Sequence, residues 1–122
     1  MPDPSFFVLY VKDIRKSTEF YKNIFSLEPA IQTPGFAMFI LPDGKRYGLW
    51  ATAIVQPEAE TTGGGAEYCF DLPDAASLKK SYDAACSAGL VVIQVPIEMG
   101  FGLTYVIEDP DHHRIRYVVP AA

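Results

Sequence analysis

The sequence has little of what would hold a nucleic acid, cross a membrane or staple a small fold. Its 122 residues carry 10 Lys and Arg against 15 Asp and Glu, a formal net charge of −5, and the cations are scattered. Affinity for a phosphate backbone comes from clustered cations, so nucleic acid is excluded as the main partner. No apolar run approaches the ~18 residues of a membrane span. The opening Met-Pro-Asp-Pro-Ser-Phe-Phe has no basic segment and no small-residue cleavage site, and so does not read as a secretory leader. Two cysteines, Cys69 and Cys86, are too few for a disulfide framework; both lie in apolar periodic runs and read as buried thiols of a cytoplasmic protein. The 9 Gly and 10 Pro are dispersed without period and heptads are missing, which excludes collagen and coiled coil.

What the chain does have is apolar material: 49% of its residues are hydrophobic, ample for a folded domain. A chain of this length buries roughly two-thirds of its unfolded surface and needs no metal or disulfide to close.

The apolar runs repeat. Phe-Val-Leu-Tyr-Val-Lys-Asp at 7–13 matches Tyr-Cys-Phe-Asp-Leu-Pro-Asp at 68–74, an offset of 61. Each run ends in an aspartate, a good N-cap because its carboxylate accepts orphan backbone N–H groups. Asp13 opens a helical pattern over 14–25 with Ile14, Phe20, Tyr21, Ile24 and Phe25 on one stripe. Asp74 opens another over 75–88, with Leu78, Tyr82, Ala85 and Cys86, and Gly89 terminates it.

Further on, Pro42-Asp43-Gly44 matches Pro110-Asp111-His112 at an offset of 68, each between strand-like runs: 36–41 and 47–53, then 101–108 and 113–119. Asp-Gly there predicts a hairpin with both central residues at positive φ, and His112 takes the left-handed place of Gly44. Short strands at 29–33 and 90–96 complete the units. The chain therefore reads as one α+β domain of two βαβββ units, 5–55 and 66–119, joined by a flexible linker at 56–65 containing Gly63-Gly64-Gly65.

These residues resemble a known family. Phe7 to Tyr21 followed by Phe25-Ser-Leu27, and Glu108-Asp-Pro-Asp-His-His-Arg-Ile115, are similar to the opening strand–helix and closing hairpin of the vicinal oxygen chelate superfamily. That superfamily includes glyoxalase I, extradiol dioxygenases, and fosfomycin- and bleomycin-resistance proteins. The resemblance covers nearly the whole chain. It implies curved mixed sheets around a concave cavity, helices outside, and, in metal-dependent members, ligands on the first and last strand of each unit.

Carried onto this chain, those ligand positions fall on Phe6, Gly48, Glu67 and Arg116. The repeat agrees, since offset 61 takes Phe6 to Glu67 and offset 68 takes Gly48 to Arg116. A divalent ion needs about three protein donors. Phe6 and Gly48 offer none and Arg116 is a permanent cation. Only Glu67 could ligate, so no metal and no other cofactor is expected. Glu67 and Arg116 should instead form a cross-strand ion pair; if it is buried, losing one partner costs ~3–5 kcal/mol.

Period-two alternation extends that face to Val8 and Tyr10, Arg46, Trp50 and Thr52, Cys69 and Asp71, and Arg114 and Val118. The opposite faces are apolar or aromatic throughout: Phe7, Leu9, Val11; Leu49, Ala51; Tyr68, Phe70, Leu72; Ile115, Tyr117, Val119. Trp50 beside the missing side chain of Gly48 suggests space for a flat ligand. Phe36, Met38 and Phe39 add a further wall, their individual faces left open by alternation.

Aromatic side chains with a few convergent polar groups make a small-molecule pocket. The expected function is metal-independent binding of a partly aromatic ligand by a cytoplasmic homodimer, as in bleomycin-resistance-like proteins. The ligand face would comprise Phe6, Val8, Tyr10, Arg46, Gly48, Trp50, Thr52, Glu67, Cys69, Asp71, Arg114 and Arg116. The alternative is a lyase, isomerase or dioxygenase-type enzyme, with or without a metal, using Glu67 and Arg116; in a metal-free form Glu67 or Asp71 would be the general base and Arg116 would hold an oxyanion.

Overall fold

The computed structural model describes residues 4–122, so Met1–Asp3 of the leader reading lie outside the described residues. The chain divides between residues 63 and 64 into two compact units.

In the first unit, β1 (Phe6–Val11) leads into α1 (Ile14–Phe25), followed by β2 (Ile31–Gln32), β3 (Phe36–Ile40) and β4 (Arg46–Ala51). Asp13 caps α1, its carboxylate accepting from the Lys16 N–H at 3.1 Å. Ser26 ends the helix in the left-handed conformation, φ 53°. The strands order as β1-β4-β3-β2, with β1 and β4 parallel and the other pairs antiparallel. The helix packs its aromatic stripe on one face of this mixed sheet: Phe25 lies 5.4 Å from Phe39 and 5.2 Å from Tyr47 between ring centroids. Ile14, Tyr21, Phe39 and Leu49 are buried there. Phe39 therefore belongs to the helix-covered face.

The second unit repeats the plan with β5 (Glu67–Asp71), α2 (Ala75–Ser87), β6 (Val91–Met99), β7 (Gly102–Glu108) and β8 (Arg114–Pro120). Its order is β5-β8-β7-β6, again with only the first pair parallel. Asp74 caps α2 through the Ser77 N–H at 2.7 Å, and Gly89, φ 72°, follows its end. Tyr105 is the centre of the helix-covered face. It stacks on Tyr117 at 4.9 Å, meets Tyr82 edge-on at 5.3 Å and shares a hydroxyl hydrogen bond with Ser81.

Several expectations are corrected. The β3–β4 and β7–β8 turns use one left-handed residue each, Gly44 and His112, rather than two. Pro42 and Pro110 fix φ at the first turn position, and the third loop residue turns left-handed to rejoin the strand. Only two residues of the strand expected at 29–33 find ladder partners, whereas β6 runs on to Met99 with two register shifts. β4 stops at Ala51, so alternation does not reach Thr52, which sits in the following turn. Both cysteines are free and exposed, not buried: Cys69 is on the helix-free face of edge strand β5, and Cys86 points away from the buried stripe of α2.

Candidate ligand-binding site

Each sheet has one face under its helix and one face free of it; the candidate site residues lie on the helix-free faces. In the first unit the register Phe6–Arg46, Val8–Gly48 and Tyr10–Trp50 puts these six side-chain positions on one side. Pairing of β3 with β4 adds Phe36 opposite Trp50, Met38 opposite Gly48 and Ile40 opposite Arg46. Phe36 and Met38 are thus the wall residues that alternation left open.

This face is aromatic and apolar, and much of it is solvated: Phe6 is 37%, Val8 39% and Ile40 48% exposed. The Arg46 guanidinium carbon lies 4.4 Å from the Phe6 ring centroid, a cation–π contact. Space beside Gly48 is not vacant as expected. A Cβ there would meet Phe6 Cε1 at 3.0 Å and Phe36 Cε1 and Cζ at 3.1 Å. The two rings have closed over the glycine, so the flat surface is built by side chains rather than left as a slot.

The helix-free face of the second unit is organised by Arg116. Its Nε donates to Glu67 Oε1 at 2.7 Å. Its Nη1 donates to Gln94 Oε1 at 3.1 Å and to Thr104 Oγ1 at 3.3 Å. Thr104 Oγ1 in turn donates to the Tyr117 carbonyl at 2.8 Å, so its lone pairs are free for the guanidinium. Cys69 Sγ lies 3.7 Å from Glu67 Oε1. The ring of Phe101 is 5.6 Å from the guanidinium carbon.

Backbone register explains this cluster. Glu67 sits opposite Arg114, and Cys69 opposite Arg116, so the ion pair is diagonal across a parallel ladder. On the other side β7 places Val106 opposite Arg116 and Thr104 opposite Val118. A guanidinium at that position reaches neighbours on both flanking strands. Arg114 contributes only a longer-range attraction to Glu67, and Asp71, four residues along β5 beside Val118, is not drawn in.

The electrostatics follow. Hydrogen bonding from Arg116 holds the Glu67 carboxyl below its ordinary range, against some desolvation. Partial desolvation, then the neighbouring carboxylate, pushes the Cys69 thiol up. An ionised carboxylate already committed to two donors is a weak general base, and a protonated thiol is a weak nucleophile. Side-chain exposures of 16% for Arg116 and 30% for Glu67 put the pair between the surface and interior limits.

These residues do not fit a divalent ion. The transferred positions of the first unit, Phe6 and Gly48, carry no donor. In the second unit the one carboxylate is bonded to a fixed cation that would repel a metal.

Sequence reasoning missed Gln94, Phe101 and Thr104. Thr104 was within reach of alternation along 102–108. Gln94 interrupts the apolar run 91–97, a detectable signal, but the register shifts either side of it conceal its face. Phe101 is set by the tight turn between β6 and β7.

Comparison with known proteins places this architecture. The family model for the Glyoxalase/Bleomycin resistance protein/Dioxygenase superfamily matches residues 4–117. The phenazine antibiotic resistance protein EhpR of Enterobacter agglomerans is 32% identical over 116 residues, covering 93% of this chain and 88% of the relative. The solution structure of protein ATC0852 from Agrobacterium tumefaciens is 36% identical, with a TM-score of 0.91 and 100% of both chains covered. A glyoxalase-related enzyme from Fulvimarina pelagi shares the fold at 18% identity, with a TM-score of 0.84 over 98% of this chain and 88% of that one.

Proposed function

The chain belongs to the glyoxalase/bleomycin resistance protein/dioxygenase superfamily, and from that premise we propose that it is a metal-independent binder of a planar aromatic small molecule of the phenazine type. The observation that carries this reading is the helix-free face of the first unit. Phe6, Phe36 and Trp50 share it with Met38 and Val8, and α1 packs on the opposite face of the sheet. An exposed apolar face of this kind is a binding surface by default, and flat rings stack well on it. Phenazine as the ligand class rests on the resistance protein with which this chain shares 32% identity. The net charge of −5 disfavours a strongly anionic ligand at long range.

Binding and release without chemistry suffices for resistance by sequestration. Lowered proton affinity at Glu67 gives the enzymatic alternative no support. The protein acts as a cytoplasmic homodimer in this reading. The apolar side chains exposed on edge strand β6, among them Val91 and Val95, suit a second copy; light scattering at twice 13.5 kDa tests that.

Trp50 is the sole tryptophan, so its fluorescence reports on this face directly. Titration with phenazine should quench it saturably, and Trp50→Ala should weaken binding measured by calorimetry about tenfold or more. Absence of saturable quenching and of binding heat across a phenazine series removes the proposal.

A further inference from the structure

The helix-free face of the first unit carries a cation that no carboxylate balances. Arg46 lies on β4, between Phe6 of β1 and Ile40 of β3. Its side chain is partly buried, and its guanidinium carbon stands 4.4 Å from the Phe6 ring centroid. Among the described residues of this unit, no carboxylate forms an ion pair with it. Glu19 and Glu28 hold Lys22, Asp43 holds Lys45, and Asp13 caps α1. Glu58 and Glu60 follow the last strand of the unit. The corresponding place in the second unit is balanced: Glu67 stands opposite Arg114 and bonds Arg116 at 2.7 Å. Both ladders share one register, so the first unit lacks the anion because residue 6 is a phenylalanine.

Phe6 joins the cation to the flat surface. Its ring closes over Gly48 beside Phe36, so the guanidinium borders the ring pair on which a planar molecule would stack. A neutral molecule seated there would desolvate a charge that cannot be discharged, which is unfavourable. A carboxylate at the edge of the molecule fits the guanidinium fork and neutralises it. The net charge of −5 opposes anions only at long range and is screened beyond ~8 Å at physiological ionic strength. It therefore favours a ligand with a single anionic group, met at contact distance. We infer, on the binding function proposed above, that Arg46 selects planar aromatic molecules bearing one carboxylate at the ring edge.

Three probes test this on the full chain at neutral pH: phenazine-1-carboxylate, phenazine-1-carboxamide and phenazine. Quenching of Trp50, which shares the face with Arg46, reports binding, and equilibrium dialysis gives the affinities. The amide has nearly the shape of the carboxylate without its charge. The carboxylate-to-amide affinity ratio therefore isolates the charge, and general damage to the face leaves it unmoved. Wild type should favour the carboxylate about tenfold or more, the weight of a hydrogen bond between charged groups. Arg46→Met keeps the length of the side chain and should bring the ratio to about one. Arg46→Lys keeps the charge without the planar fork and should hold an intermediate ratio.

Amide or phenazine bound by wild type as tightly as the carboxylate overturns the inference without any variant and leaves the binding function standing. A carboxylate preference preserved in full by both Arg46→Met and Arg46→Lys belongs to another cation and overturns it too. Saturable quenching by none of the three probes overturns the binding function and the inference with it.

Discussion

Replacing Arg116 by Met and Glu67 by Gln, singly and together, turns the ion pair into a measurable free energy. The charge centres of a pair bonded at 2.7 Å stand ~4 Å apart, which at an effective dielectric of ~20 is an attraction of ~4 kcal/mol. Partial dehydration of both groups takes back much of this, since 16% and 30% side-chain exposure leaves them neither free in water nor sealed. A net coupling of about 1–2 kcal/mol remains, below the cost expected for a fully buried pair. Arg116→Met alone should cost about 2 kcal/mol, because it also deprives Gln94 and Thr104 of their donor. Urea unfolding of the four proteins gives the coupling directly. Acid supplies the internal control. Glu67 has its folded pKa below the unfolded value near 4.5, so the stabilisation is complete at neutral pH. It declines as pH falls below that value and is gone once pH passes the lowered folded value. Arg116 stays charged throughout. A coupling indistinguishable from zero at neutral pH, or one that persists unchanged in strong acid, would falsify the assignment.

Other outcomes follow from single features. Gly102→Ala should destabilise by about 2–4 kcal/mol in urea unfolding, because φ is 143° and a Cβ would press on the Val119 carbonyl oxygen; a neutral result would mean the turn carrying Phe101 has another conformation. Burial pushes the Tyr117 phenol up to about 12, so ultraviolet titration of the seven tyrosines should show a latest step that Tyr117→Phe removes, the raised Tyr47, Tyr82 and Tyr105 titrating before it. Stability from that group is intact below pH ~10, the unfolded value, and falls as pH rises towards the folded one, by about 3 kcal/mol at most. In a Cys86→Ser background, Glu67→Gln should speed alkylation of Cys69 several-fold, since it removes the carboxylate that raises the thiol pKa; unchanged kinetics would dissociate the two side chains.

The helices were legible because their signals are local. An aspartate cap and an apolar stripe at helical spacing mark 14–25 and 75–88, the second also by its glycine stop, within one residue of α1 and α2. The Glu67–Arg116 pair was legible for another reason: the resemblance to the superfamily pointed to four strand positions, and two constant offsets agreed with them. Strand length and burial were not legible. Ile31–Gln32 is short because only Met38 and Ala37 face it across the ladder, and nothing in the residues 29–33 records that. Exposure of Cys69 reflects its place on an edge strand, a consequence of strand order. Gln94 was lost to register shifts, which change which face a residue occupies without altering the sequence pattern.

The duplicated register has an evolutionary consequence. Phe6 opposite Arg46 becomes Glu67 opposite Arg114, and Gly48 becomes Arg116, at corresponding places in identical ladders. One half thus sets a ring against Arg46 where the other sets an anion that reaches diagonally to Arg116, while the residues beneath each helix stay aromatic or aliphatic in both. Selection can rewrite ligand preference on these outward rows by point mutation, without asking the scaffold to refold around each trial.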